Sequence, residues 1–311
     1  MVKKIKFYNN FKISKNDKSS IILIGNFDGL HLGHRKLFNL AKIYKKKFKK
    51  RIGVVTFEPM PKMYFNKSLK NFRISNLNQK KTLLRNLGVD FVIIKKFDKK
   101  LSKVESKNFI KNILYKELHA RYIFVSNNFR FGNKRKGNVK ELIQNERKFN
   151  YKIIKPKPLI LNNKIISSSL IRKQLFEGKL SYVNKLLKRS WSIEGKVQKG
   201  RQLGKKIGFP TCNIEINDYV IAKPGVYAVK IHIKNSNKIL KGIANLGYRP
   251  TFNQKKILLE VFIFNFSGNL YNKVLTIDFI HFIRKEKKFK NINYLKKQIS
   301  TDLKLAKKKL N

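Results

Sequence analysis

The sequence predicts an α/β unit built on a parallel sheet, followed by a small antiparallel β-barrel and a closing helix. Up to about residue 187, apolar β-branched runs alternate with stretches of helix length, the pattern of strand–helix–strand crossovers. From Trp191 onward, short strand-like runs are punctuated by glycines, the pattern of a small barrel. A polar-faced helical stretch, about Ile292 to Lys309, ends the chain.

In chain order, the first part offers strands at Ile21–Ile24, Ile52–Phe57, Phe91–Ile94, Tyr122–Val125 and Tyr151–Ile154. Helices are expected over Leu37–Lys50, Gln79–Leu87, Lys107–His119 and Val139–Lys148, the first of them starting near His34 or Arg35. A further helix at Leu180–Lys188 leads to the change of character, which sets a boundary with residues 1–187 before it and 188–311 after it. The barrel runs are Ile193–Val197, Gly225–Ile233, Gly242–Leu246, Leu258–Phe266 and Val274–Ile283. Gly195, Gly200, Gly204, Gly208, Gly225, Gly242, Gly247 and Gly268 are expected to supply the turns.

Composition excludes several classes. With 311 residues, 42% of them hydrophobic, the chain can bury two cores. No apolar run approaches a membrane span, because Ile21–Ile24 is cut short by Gly25 and Asp28. The basic start is followed by neither a long apolar core nor a small-residue cleavage site, so a cytoplasmic location is expected. A single cysteine, Cys212, permits no internal disulfide and no cysteine-based metal cluster. The net charge of +56 invites a nucleic-acid reading. Lysine, asparagine and isoleucine share AT-rich codons, however, and lysines occur in nearly every segment rather than on one element. No helix-turn-helix, zinc-finger or RNP-like pattern accompanies them, so weak polyanion binding is expected without a dedicated nucleic-acid function.

Two stretches carry chemistry. "GNFDGLHLGHRKL", Gly25–Leu37, follows the first strand, at the end of a parallel sheet where ligands bind. Neutral imidazoles at His31 and His34 can bridge phosphate oxygens, and Gly33 lets the backbone approach a nucleotide. A turn with two incidental histidines is the plain alternative. "ISSSLIRKQL", Ile166–Leu175, places three hydroxyls ahead of a helix and Arg172 within it, a natural triphosphate clamp. Serine capping of that helix is the plain alternative there.

Taken together, "GNFDGLHLGH", "VVTFEPMP", "NNFRFGNKRKGN", "ISSSLIR", "GKVQKGRQLGKKIGFPTCNI", "PGVYAV", "GIANLGYRPTF", "LEVFIFNFSGNLY" and "FIRKEKKF" resemble the bacterial bifunctional riboflavin kinase/FMN adenylyltransferases in order and spacing. The resemblance runs from about Ile21 to Asp302. It implies a Rossmann-like nucleotidyltransferase domain in 1–187 and a riboflavin kinase barrel with its C-terminal helix in 188–311. It also implies two ATP-dependent reactions, with Mg²⁺ as cofactor, riboflavin, FMN and ATP as partners, and FMN and FAD as product ligands. In the first domain the FMN phosphate attacks the α-phosphate of ATP and pyrophosphate leaves, with no covalent enzyme intermediate. By the same resemblance His31 and His34 touch the ATP phosphates, with Gly25, Asn26, Phe27, Asp28 and Gly33 around them. Ser168, Ser169 and Arg172 hold the β- and γ-phosphates, and Thr56, Phe57, Pro59, Asn128, Phe129 and Arg130 wall the flavin and adenine. Phe57 and Phe129 have core packing as the equal alternative.

In the second domain the resemblance makes Glu260 the base that takes the ribityl hydroxyl proton. A carboxylate inside a β-branched strand is costly without a task or a partner, which supports that role. Thr211 and Asn213 are oxygen ligands suited to Mg²⁺, and the glycine-rich "KGRQLGKKIGFP" can wrap phosphates, although barrel-loop glycines are equally ordinary turn residues. Four positions depart from the family pattern. Asn128 stands for the usual Asp, Met60 for a polar residue, Ser169 for Thr, and Phe262 where His is common. Cys212 is read as a small packing residue. Two other readings stand beside this one: a chain keeping only one activity, the kinase, or a basic nucleic-acid-binding protein on the same fold.

Overall fold

The structure is a computed structural model that describes residues 5–199, 204, 207–216, 218–250 and 255–311. Contacts divide the chain into two compact units, residues 1–69 with 80–166, and residues 70–79 with 167–311.

The first unit holds six strands, β1 (Lys6–Tyr8), β2 (Ile21–Ile24), β3 (Ile52–Glu58), β4 (Phe91–Lys96), β5 (Tyr122–Phe124) and β6 (Lys152–Ile154). They form one parallel sheet in the order β1-β4-β3-β2-β5-β6. Both faces are covered, because alternate residues of each strand join different cores. Ile21 and Leu23 pack with Leu37, Phe38 and Ala41 of helix α1 (Leu32–Phe48). Ile22 and Ile24 pack with Phe109, Ile110, Ile113 and Leu114. Burial on both sides explains why these strands read as continuous apolar runs rather than alternating ones. The edge strand β1 has no such run in sequence; Lys6 and Phe7 are exposed.

The strand order matters for function. From β2 the chain moves outward through β3 and β4, then returns to the other side of β2 to lay down β5 and β6. The order therefore reverses between β2 and β5, and the loops leaving the carboxyl ends of these neighbours diverge to leave a crevice. Those loops begin at Gly25 and at Val125.

Two helices differ from expectation. The Lys107–His119 stretch starts as a short α-turn, Ser106–Asn108, and continues as a π-helix over Phe109–Glu117. The Val139–Lys148 stretch is split at Asn145 into Val139–Gln144 and Glu146–Phe149.

In the second unit, β7 (Trp191–Gln198), β8 (Cys212–Ile214), β9 (Gly225–Ile233), β10 (Ile239–Pro250), β11 (Lys255–Ile263) and β12 (Val274–Lys285) close an antiparallel barrel in the order β7-β8-β11-β10-β9-β12. Trp191, Tyr227 and Phe279 fill it in tilted and edge contacts at 4.7 and 5.0 Å between ring centroids. The C-terminal helix, Ile292–Leu310, lays Ala306 and Leu310 on Val226, Ala228 and Ile243. Asp302 anchors it by accepting from Nε and Nη2 of Arg284 at 2.7 to 2.9 Å.

The glycines correct the turn expectation. Gly195, Gly242 and Gly247 lie inside strands. A Cβ at Gly195 would stand 2.1 Å from the Glu215 carbonyl oxygen, and one at Gly242 would stand 2.3 Å from that of Phe262. Close approach of neighbouring backbone, rather than chain reversal, is what these positions require. Gly200 lies outside the described residues, as does most of the 199–206 stretch.

Residues 70–79 form a strap on the barrel unit. The Phe72 and Arg73 amides donate to the Asp218 carbonyl (2.8 and 2.7 Å), and Val220 N–H donates to the Arg73 carbonyl (2.7 Å). The Trp191 indole N–H ends on the Ile74 carbonyl at 3.0 Å.

Candidate functional site

The β2–α1 turn is a strained, tightly pinned loop. Phe27 and Leu30 have φ of +47° and +42°, and the intervening Gly29 has +77°. Bulky residues take such angles only where surrounding contacts over-determine them. Here Phe27, Asp28 and Leu30 are all buried, and Thr56 on β3 donates its hydroxyl to the Asn26 carbonyl at 3.4 Å.

Helix α1 begins at Leu32, two or three residues before the expected start, because His31 is its N-cap. The His31 Nδ1 accepts the His34 backbone N–H at 3.3 Å. Imidazole is outside the usual Ser/Thr/Asp/Asn capping set, so capping rules do not find it. Acceptance at Nδ1 leaves the proton of a neutral ring on Nε2, making that edge a donor. The two rings stack at 3.7 Å between centroids, 21° from parallel, and Phe27 meets His34 edge-on at 5.3 Å. Gly33 makes room for this: a Cβ there would stand 3.0 Å from the Ile166 carbonyl oxygen and 3.1 Å from the His31 ring.

His34 is held well below the ordinary histidine value by burial first, then by the fields of His31 and Lys80. Its Nδ1 is enclosed and finds no hydrogen-bond partner among the described residues. A stacked imidazole pair at a helix N-terminus, with His34 held toward its neutral form, is suited to receive a polyanion.

Lys80 escaped the sequence reading. It is 1% exposed and shares a helical face with Leu77, Leu84 and Leu87. A lysine at a core position of an amphipathic helix is the signal that could have found it.

Across the crevice, the loop after β5 carries Asn128, Phe129 and Arg130. Asn128 is exposed, and its Oδ1 accepts the Ser126 hydroxyl at 2.9 Å. Phe129 stacks with Phe131 at 5.6 Å and packs against the core. Phe57 likewise leans on the core, with Phe97 edge-on at 6.0 Å. Thr56 is fully buried, and Pro59 follows the end of β3.

Ser167 caps the helix Ser168–Phe176, accepting the Leu170 N–H at 3.2 Å. Ser168, Ser169 and Arg172 lie in its first turns, within the barrel unit. Arg172 donates Nε–H to the Phe72 carbonyl at 2.7 Å.

On the barrel, register builds a second site. Asn213 on β8 and Asn245 on β10 both pair directly with Glu260 on β11. Leu259 and Val261 are buried in the interior, so by alternation Asn213, Glu260 and Asn245 form one row on the outer face. Glu260 therefore sits between two carboxamides on a half-buried surface. Beyond Asn245 lies Glu286, which accepts its amide and is raised above the ordinary carboxylate value mainly by burial. Thr211 is exposed just before β8. Its hydroxyl and the Asn213 amide oxygen are hard oxygen donors of the kind magnesium takes alongside substrate phosphates. Burial pushes the Cys212 thiol up to about 11, so it stays protonated.

Among the described residues, no helix is long and apolar enough to cross a membrane. Two family models match: FAD synthetase over residues 13–170 and riboflavin kinase over residues 187–310. Bifunctional riboflavin kinase/FMN adenylyltransferases are similar along nearly the whole chain. The Buchnera aphidicola protein (from Schizaphis graminum) is 39% identical, covering 96% of each chain. Those of Haemophilus influenzae (37%, 92% of each) and Escherichia coli (33%, 91% and 90%) are also similar. A crystal structure titled as a macrolide-efflux protein from Streptococcus pneumoniae superposes with a TM-score of 0.83 at 25% identity, covering 95% of this chain and 96% of the other.

Proposed function

The chain belongs to the bifunctional riboflavin kinase/FMN adenylyltransferase family, and from that membership we propose how its residues divide the work. It phosphorylates riboflavin to FMN with one ATP and adenylylates FMN to FAD with a second, releasing pyrophosphate. Adenylylation is assigned to residues 1–187 and phosphorylation to 188–311, in the cytoplasm, with polyanion binding only incidental to the high charge.

The observation that carries the first assignment is the stacked His31–His34 pair at the sheet's reversal point. With His34 kept neutral, both rings donate to ATP phosphate oxygens and follow the charge as it grows on the departing pyrophosphate. The loop Gly25–Asp28 shapes the pocket, and Gly33 allows the close approach. Ser168, Ser169 and Arg172 grip the β- and γ-phosphates, while Thr56, Phe57, Pro59, Asn128, Phe129 and Arg130 wall the flavin and adenine. Catalysis there is positioning and charge stabilisation.

For the kinase reaction, Glu260 accepts the ribityl hydroxyl proton, and Thr211 and Asn213 hold Mg²⁺. When bound, the ion neutralises charge on the transferring phosphoryl group. The Asn213–Glu260–Asn245 row supports this, because register sets the carboxylate beside Asn213 on one strand and Asn245 on the other.

The test is to incubate the full chain with riboflavin, ATP and Mg²⁺ and separate FMN and FAD by chromatography. Glu260→Gln is expected to lose FMN formation by about 10²–10⁴-fold while still converting supplied FMN to FAD. His34→Ala is expected to do the reverse. Equal loss of both activities in a folded variant would refute the division.

A further inference from the structure

Phe72 lies in no stretch that carries the family resemblance, yet its contacts lead straight to Arg172. Its carbonyl accepts Nε–H of Arg172 at 2.7 Å, and its ring lies against the guanidinium, 3.7 Å from Cζ to the ring centroid. Both residues belong to the barrel unit. A guanidinium is a rigid plane with donors on three nitrogens. Fixing the Nε edge on a carbonyl and the face on a ring determines both the direction and the tilt of the remaining Nη edge. Without the ring, the plane loses the contact that sets its tilt about the Nε bond.

The strap makes Phe72 a firm support. The Phe72 amide donates to the Asp218 carbonyl at 2.8 Å, and the next residues are tied to Val220 and Trp191. Further along, Gln79 donates to the Ser192 hydroxyl at 3.0 Å and accepts from the Tyr219 hydroxyl at 2.8 Å. A flexible loop would carry its aromatic ring along with the arginine; a strap held at both ends does not.

We propose that Phe72 is a positioning residue for adenylylation, holding the Arg172 guanidinium in the orientation that grips the β- and γ-phosphates of ATP and the pyrophosphate formed from them. The inference rests on the assignment of Arg172 to those phosphates. Phe72 touches no substrate in this role; it acts through Arg172 alone. Its effect belongs in the binding of the triphosphate and of pyrophosphate, and not in riboflavin phosphorylation.

The experiment uses the full chain and substitutions that all retain the backbone carbonyl, so that only the ring is changed. Phe72→Ala is expected to raise the KM for ATP in FAD formation about 10-fold and to weaken product inhibition by pyrophosphate equally, from the loss of a partly desolvated cation–π contact. Phe72→Tyr, which keeps the ring, is expected to stay within about 2-fold of the parent, and Phe72→Leu to behave like alanine. Riboflavin phosphorylation by each variant is the internal control for an intact barrel unit. Arg172→Ala tests the underlying assignment: it is expected to lose more than Phe72→Ala, and the double variant to be no worse than Arg172→Ala. If Arg172→Ala impairs adenylylation while Phe72→Ala leaves both pyrophosphate inhibition and the KM for ATP unchanged, Phe72 is packing only and the proposal falls alone. If Phe72→Leu recovers as fully as Phe72→Tyr, apolar bulk suffices and the proposal also falls. If Arg172→Ala adenylylates like the parent, the assignment and the proposal fall together.

Discussion

Substituting His31 by Asn and by Ala separates its two tasks. The imidazole caps helix α1 through the 3.3 Å bond from His34 N–H, and it offers its Nε2 edge to phosphate. Losing an N-cap costs about 1 kcal/mol, whereas asparagine is itself among the strongest caps. Removing the buried ring and its 3.7 Å stack on His34 costs roughly another 1 kcal/mol of apolar burial in either variant. Removing one preorganised donor from a developing oxyanion costs about 10²–10³-fold in kcat. His31→Asn is therefore expected to unfold within about 1 kcal/mol of the parent yet make FAD from FMN about 100-fold more slowly. His31→Ala should show the same rate and a further loss of about 1 kcal/mol. Urea unfolding followed by far-UV circular dichroism, with initial rates of FAD and FMN formation, reads all of these quantities. FAD formation by His31→Asn within 3-fold (about 0.7 kcal/mol) of the parent would reduce the residue to a cap and refute the phosphate role.

Other expectations follow from the same geometry. His34 lies well below 6.5 when folded and near 6.5 when unfolded, so the unfolded chain binds the extra proton. The stability due to its neutral ring is complete above 6.5 and declines as pH falls from there toward the folded value, by at most about 1.4 kcal/mol per pH unit. Nitrogen-15 spectra of the imidazoles should show His34 not titrating near 6.5; a normal titration would remove the field of Lys80 and the enclosure of Nδ1 from the account. Asp302→Ala leaves Arg284, only 16% exposed, without its carboxylate and is expected to cost about 3–5 kcal/mol in thermal unfolding of the barrel unit. A change below about 1 kcal/mol would show the pair to be incidental. Asn128→Asp keeps the acceptor for the Ser126 hydroxyl and adds a charge, so it should raise FAD formation and leave FMN formation unchanged. No change in either would mean that the amide already suffices.

The sequence alone determined the parallel-sheet unit, the barrel and the terminal helix, and it supplied the polar residues from which both sites are proposed. Its reach stops where information is local. Strand periodicity tells that Ile21–Ile24 is buried on both faces, but not that β5 lies beside it, and only that neighbour brings Asn128 to the crevice of His31 and His34. Spacing placed Glu260 on a strand, but register with β8 and β10 set it between Asn213 and Asn245. The strand glycines read as turns because a missing side chain signals both reversal and close approach, and the carbonyl that crowds Gly195 comes from Glu215, the residue after β8. Phe72 carries no pattern for its contact with a partner 100 residues away, and Lys80 shows in sequence only as a lysine on the apolar face of a helix, its enclosure being a matter of tertiary burial. Tertiary structure decided these because register, enclosure and the field at a buried ring depend on which distant segments exclude water together.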